Sequence, residues 1–267
     1  MIIMKKTKLG MLLLCLLFSY LPLQSMAWGK LGHRVVGQIA DSYLTKKARK
    51  NIQLILGDES VAMASTWADF IKSDKDYSYL SPWHYIDFDK PYTYPEMQAF
   101  LKLDTAVDAY TKLNLIIAQL KNKNLEQSKK QMYLRLLIHI VGDVHQPMHT
   151  AHTVDKGGND VKLFWFNKPT NMHALWDSNM IDDEQLSYTE YTSWINHSTK
   201  AQRTALQHDG ISKWLFESSQ ISEKLYTEIK PDAHLSYRYT FDHIAIANQQ
   251  LLKGGIRLAG ILNELFG

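Results

Sequence analysis

The stretch Leu134-Arg-Leu-Leu-Ile-His139-Ile-Val-Gly-Asp143-Val-His-Gln-Pro147-Met-His149 decides how the rest of the chain is read. Leu134, Leu137, Ile138, Val141 and Val144 recur at the spacing of one helical face, and Pro147, which lacks a backbone N–H, stops the run. His139 and Asp143 lie four residues apart within that apolar helix, so their side chains project together. A buried imidazole needs partners for its polar atoms, and a buried carboxylate needs its charge compensated. This core helix is therefore a site as well as a scaffold.

Helical spacing dominates the rest of the chain. Val35, Val36, Ile39, Ala40, Tyr43 and Leu44 form one stripe; Thr45 is placed to cap the next helix and Gly57 to end it. Ser60 opens a helix around Ala64, Trp67 and Ile71, and Asp104 is the expected cap of a helix from Ala106 to Leu120. Asn171 starts a short helix through Trp176, two or three more fill Leu186 to Lys230, and the last runs from about Tyr239 to Leu265. Only Val161 to Phe166 reads as a strand, part of a hairpin beside the turn Gly157-Gly158-Asn159-Asp160. There is no repeat, low-complexity tract or linker. The expected fold class is all-α, a single compact multi-helix domain with at most a small β-hairpin.

Residues 1–27 read as a signal peptide rather than as fold. Lys5, Lys6 and Lys8 precede an apolar run from Met11 to Tyr20, and Ser25-Met26-Ala27 is a small-x-small cleavage site. The run is shorter than the ~20 residues a membrane span needs. Leu14 stands before Cys15 where a lipoprotein signal wants a small residue. The expected mature domain is 28–267, secreted or periplasmic. Removing three lysines leaves 27 basic against 27 acidic side chains, so whole-chain charge supplies no attraction for nucleic acid. Cys15 is the only cysteine, which excludes disulfides and thiolate metal sites from the mature chain.

Metal chemistry must then rest on His, Asp and backbone, and these are present at ligand spacing. His173 and Asp177 repeat the four-residue pairing of His139 and Asp143, and His149 follows just past the core helix. Upstream stand Trp67-Ala-Asp69, Trp83-His84-Tyr85 and Trp28-Gly-Lys-Leu-Gly-His33. A lone His-x-x-x-Asp is usually a helix-face hydrogen bond. Two such pairs with three further His and one further Asp exceed what core packing explains, and all-N/O ligation suits zinc.

The ordered set Trp-Gly-x-x-Gly-His, Trp-Ala-Asp, Trp-His-Tyr, His-x-x-x-Asp-x-His-Gln-Pro-Met-His, Gly-Gly-Asn-Asp and His-x-x-x-Asp, from Trp28 to Asp177, resembles the plant and fungal nuclease I family, the S-one and P-one type. The absence of cysteine pairs points to a bacterial member. The resemblance implies three zinc ions per chain. Asp69, His84, His139 and Asp143 would hold the first; Trp28, through its α-amino and carbonyl groups, His33 and Asp143 the second; His149, His173 and Asp177 the third. It implies an endonuclease and 3′-nucleotidase acting on single-stranded DNA and RNA and on 3′-nucleotides, giving 5′-phosphorylated products through a zinc-bridging hydroxide. Asp69 would orient the attacking water. Lys72 stands where the family has an arginine, with Asp87 as its expected acidic partner; lysine keeps the charge but loses the bidentate fork. Tyr85 would stack a nucleobase and Asn159 would contact it. The alternative for Tyr85 is an ordinary core aromatic, for Asn159 a turn residue, and for Lys72 a solvated charge. His145, His152, His197, His208, His234 and His243 match no ligand position.

Two other readings compete. A zinc-dependent phospholipase C resembles this fold and its terminal-Trp site, but carries Glu at the position of Asp177 and lacks Trp-Ala-Asp and Gly-Gly-Asn-Asp. A non-enzymatic periplasmic zinc-binding protein would need neither a bridged metal pair nor a stacking aromatic. No obligate protein partner is evident.

Overall fold

A computed structural model describes residues 28–267; the expected signal peptide lies outside them. The core helix, α7 (Gln127–Asp143), is buried on every side from Leu136 to Asp143, as a run that is apolar all round requires. It is enclosed by α1 (Lys30–Ser42), α2 (Lys46–Leu56), α3 (Val61–Ala64), α4 (Trp67–Ile71), α6 (Ala109–Leu120) and the thirty-residue α13 (Tyr237–Phe266). Helix α13 lies along α1, and α10 (Tyr188–Ile195), α11 (Lys200–Gln207) and α12 (Ile211–Glu228) complete the shell. The all-α expectation holds, with one continuous core.

The β element is slightly larger than expected. Strands β1 (Lys162–Trp165) and β2 (Lys168–Asn171) pair antiparallel through Phe166 and Asn167, both at positive φ, as a two-residue hairpin turn demands. A short β3 (His234–Leu235) adds parallel to β1, giving the order β2-β1-β3.

Three local expectations are corrected. Helix α6 begins at Ala109, not Ala106: Asp108 caps it by accepting the Thr111 amide at 2.9 Å, and Asp104 instead accepts the Ala106 amide at 2.9 Å in the preceding turn. The segment opened by Ser60 is two short helices, α3 and α4. The chain after Asn171 winds as α8 (Met172–Ala174), a π-helical turn (Leu175–Asn179) and α9 (Met180–Asp182). Two elements had no expectation, a 3₁₀ helix from Lys75 to His84 and α5 (Tyr94–Leu103), which starts with Glu96 accepting the Thr93 amide at 2.8 Å.

Beyond the end of α7 the chain turns so that residues 149–153 run beside residues 84–88. The Ile86 amide donates to the His149 carbonyl at 2.9 Å and the Phe88 amide to the Ala151 carbonyl at 2.7 Å. This pairing fixes the 3₁₀ helix that ends at His84 against the one that carries His149 (Pro147–Thr150).

Candidate active site

Eight of the expected ligand side chains converge, from α1, α4, the 3₁₀ helices, α7, α8 and the π turn, and each is less than a tenth exposed. Three groups form: His33, Asp69 and His139; His84, His139 and Asp143; His149, His173 and Asp177. The third matches the expected trio. His33 groups with Asp69 and His139, while its Nε2 also lies 3.3 Å from Asp143 Oδ1. Asp143 further approaches His84 at 3.0 Å and His139 at 3.3 Å, so one carboxylate faces three imidazoles.

Hydrogen bonds to backbone fix which ring nitrogen is free. His139 Nδ1 donates to the Ser65 carbonyl at 2.6 Å, His149 Nδ1 to that of His84 at 2.7 Å, and His173 Nδ1 to that of Gly157 at 2.6 Å. With Nδ1 spent on a carbonyl, Nε2 of each ring turns inward, and it offers a lone pair whenever that nitrogen carries no proton. His139 Nε2 meets His84 Nδ1 at 2.9 Å, and His149 Nε2 meets His173 Nε2 at 3.2 Å, beside Asp177 at 3.6 and 3.2 Å. Lone pairs aimed at one another and at carboxylates repel unless a proton or a cation lies between them. A tetrahedral ion with bonds of ~2.0–2.2 Å separates its ligands by ~3.3–3.6 Å. The donor set therefore fits metal.

Electrostatics separate the groups. Burial pushes His139 down to about 3, more than its carboxylate neighbours recover, so this ring is neutral. Burial pulls Asp143 upward, but His139 and His149 outweigh it and hold the carboxyl well below the usual range. Burial also pulls His149 down, yet Asp143 and Asp177 bring it up to about 9, so at the third group a proton competes with the ion.

Two glycines admit this crowding. A Cβ on Gly142 would lie 2.9 Å from His33 Nδ1, so only glycine lets His33 stack on His139 at 3.9 Å. Gly157 has φ +62°, and a Cβ there would lie 2.4 Å from the Met148 carbonyl. Its own carbonyl orients His173. Trp28 is fully buried against the same Gly142, and the Gly29 amide donates to the Asp177 carbonyl at 2.6 Å.

Lys72 and Asp87 are not brought together. Lys72 Nζ reaches Asp69 Oδ1 at 2.6 Å, three residues back on the same helix, whereas Asp87 faces His149 and His173. Burial raises Asp87 to about 6, against those two histidines. The Lys72–Asp87 pair expected from sequence is corrected to Lys72–Asp69. Asp69 keeps its Oδ2 buried and free of hydrogen bonds.

A cleft of about 500 Å³ opens on the third group, lined by Tyr85, Asp87, Phe100, Asp108, Asn159 and His173. Tyr85 is 41 % exposed there, which sets aside the core-aromatic reading. Asn159 lines the same cleft, with its amide also tied to the Lys156 carbonyl at 2.8 Å. Phe100 is a second cleft aromatic, missed because α5 was not read as an element. In the fold it packs against Phe88 and Tyr92, at 5.9 and 5.4 Å, a contact that no motif in the sequence marked. His145 and His243 are buried but bond elsewhere, to Arg257 and Glu228.

Among the described residues no helix is long and apolar enough to cross a membrane. The chain is 27 % identical to Endonuclease 2 of Arabidopsis thaliana, over 90 % of this chain and 91 % of that protein. It is 27 % identical to Nuclease P1 of Penicillium citrinum, over 90 % of this chain and 98 % of that protein. Identity to Nuclease S1 of Aspergillus oryzae is 30 %, over 61 % of this chain and 57 % of that protein. The family model described as S1/P1 Nuclease matches residues 28–267, the whole of the described fold with all three His/Asp groups, and the chain belongs to that family of nucleases, which hydrolyse nucleic acids.

Proposed function

We propose that the protein is an exported, zinc-dependent endonuclease and 3′-nucleotidase that cuts single-stranded DNA and RNA to 5′-phosphorylated products. The observation that carries this reading is the convergence of buried imidazole nitrogens on Asp143 and Asp177 at the floor of an aromatic-walled cleft. Asp69, His84, His139 and Asp143 would hold one zinc, His33 and the freed α-amino and carbonyl groups of Trp28 a second with Asp143 shared, and His149, His173 and Asp177 a third. When bound, zinc supplies a lowered water pKa near neutrality and charge neutralisation at phosphate.

The chain's own groups do the rest. Asp69, held by Lys72 through Oδ1, has Oδ2 left to accept a hydrogen bond from the attacking water and aim it. Tyr85 offers an open ring face on which a base stacks only when unpaired, which selects single strands without reading sequence. Asn159 and Asp87 line the cleft where the edge of that base would lie. Carboxylates at that wall favour base N–H donors over phosphates. The phosphodiester is thereby left to the histidine groups.

Purified protein should degrade single-stranded DNA and RNA faster than duplex DNA, lose the activity to a chelator, and regain it with zinc. Activity that survives exhaustive chelation, or equal rates on single and double strands, would sink this reading. Phosphatidylcholine in the same assay checks the phospholipase alternative.

A further inference from the structure

Residues 28–267 are neutral overall, but their charge is not evenly spread. The first turns of α2 carry Lys46, Lys47, Arg49 and Lys50. The connection from α6 into α7 carries Lys121, Lys123, Lys129 and Lys130, with Glu126 the only acid in either stretch. Residues 46–50 and 121–130 thus hold a net charge of +7, and the other described residues −7. Seventy residues apart in sequence, the two stretches meet in the fold around a cleft of about 490 Å³.

Lys47, Lys121, Lys123 and Lys130 line this cleft with the amide side chains of Asn51 and Gln127. Glu264 is the facing acid and is taken up by Lys121 at 2.9 Å. Arg49 is taken up by Asp41. Among the described residues Lys47, Lys123 and Lys130 have no ion-pair partner, and Leu54, 70 % exposed, gives the cleft an apolar wall. The amides of Asn51 and Gln127 donate to the Phe266 and Leu54 carbonyls and fix the walls, while cations without partners beside an apolar surface match a sugar-phosphate backbone. The catalytic cleft has the opposite character, with Asp87, Asp104 and Asp108 against Lys156.

We propose that this basic cleft is a second binding site, for the backbone of the nucleic-acid substrate, that retains a long strand while its scissile bond lies at the histidine groups. The proposal rests on the nuclease reading above. Helix α7 joins the two sites: thirteen residues separate Lys130 from Asp143, ~20 Å at ~1.5 Å per residue. At ~3.4 Å per stacked nucleotide that straight line equals about six nucleotides, and a strand passing around the buried helix needs more. A dinucleotide reaches one site; a 30-nucleotide strand reaches both.

The test compares the parent, K47Q/K123Q/K130Q and a charge-matched control, K168Q/K200Q/K230Q; all these positions are exposed except the half-buried Lys130. Each is assayed with a 30-nucleotide single strand and a dinucleotide, from 50 to 200 mM salt. The cleft variant should show a KM for the long strand raised about tenfold and a salt slope shallower by ~2, three phosphates at ~0.7 each. The control should stay within twofold of the parent, and dinucleotide kcat/KM should match in all three. Fluorescence anisotropy with a non-cleavable phosphorothioate strand gives the same comparison as binding alone. Unchanged KM, salt slope and strand affinity in the cleft variant would overturn the proposal. So would cosedimentation with phosphatidylglycerol vesicles that the cleft substitutions abolish while long-strand KM stays put, since the patch would then serve a membrane surface. Failure of the parent on every nucleic acid would overturn the nuclease reading instead.

Discussion

At the scale of single residues, Asp143 carries the most consequence. Its carboxylate lies within about 3.3 Å of His33, His84 and His139 and is fully buried, so its charge must be compensated by something shared among them. Asp143→Asn keeps the shape but replaces an anionic oxygen with a donor. Zinc content measured on the folded variant should fall by about two ions per chain, and turnover by more than the ~10- to 100-fold typical of losing an outer-shell partner. Three ions with turnover intact would remove Asp143 from its bridging role. Tyr85→Ala should leave zinc content unchanged and weaken short single strands by ~10- to 100-fold, from a stacking term of ~1–3 kcal/mol. An unaltered KM for short oligonucleotides would show that Tyr85 stacks nothing. The convergence of the eight His and Asp side chains was legible in sequence because such groups are costly to bury without partners. Lys72's partner was not. Three-residue spacing along α4 puts Lys72 on Asp69, while the pairing of residues 84–88 with 149–153 carries Asp87 toward His149 and His173.

At the scale of elements, long periodic helices were legible and short ones were not. Helices α2 and α13 follow their expected bounds to within two residues, while α1 and α7 begin five and seven residues ahead of the apolar stripes that marked them. The 3₁₀ helix Lys75–His84 and the π turn Leu175–Asn179 depart from the 3.6-residue winding, so an α-helical apolar period does not mark them. The start of α6 was misread because Asp104 and Asp108 are both competent caps, and only tertiary placement chose between them. That choice has a measurable consequence. Burial, and then the neighbouring Asp104 carboxyl, raise Asp108 to about 6. A carboxyl whose folded pKa exceeds its unfolded value of ~3.9 costs no stability below pH 4, where it is protonated in both states, and its full penalty is felt above about pH 6. Asp104→Asn keeps the acceptor for Ala106 and removes the like charge. It should stabilise the protein by ~1 kcal/mol at pH 7.5, a share of the shift rather than all of it, and by much less at pH 4. Thermal denaturation at the two pH values checks this; a gain of equal size at both would mean that charge is not the cause.

At the scale of the whole molecule, the turn that carries one of the His/Asp groups is tied to a C-terminal helix that contributes none of their side chains. Arg257 on α13 is 1 % exposed, and its guanidinium donates to His145 Nε2 at 3.1 Å, Asp209 at 2.6 Å and Glu217 at 3.0 Å. His145 Nδ1 donates to the Val141 carbonyl at 2.7 Å, and burial followed by the Arg257 charge holds this ring neutral, so its Nε2 accepts. Gln250, also on α13, donates to the His145 carbonyl at 2.9 Å. The turn between Asp143 and His149 is thus tied at side chain and backbone to a helix more than a hundred residues later. Nothing in the stretch Gly254-Gly-Ile-Arg257-Leu-Ala announces this, because a single arginine among apolar residues has no period, and its partners come from three separate segments. Arg257→Met preserves volume but strands the carboxylates of Asp209 and Glu217. Breaking a fully buried pair costs about 3–5 kcal/mol. Here the two acids are 30 % and 22 % exposed and Lys253 still reaches Glu217 at 2.9 Å, so about 2–4 kcal/mol is expected. For a domain of this size that lowers the melting temperature by about 5–10 °C. Because the arginine acts through His145 rather than on substrate, KM for single strands should stay near that of the parent at 25 °C, while zinc is lost to a chelator more rapidly. A melting temperature and a zinc-release rate both equal to the parent's would show that the turn carrying His149 holds its shape without the C-terminal helix.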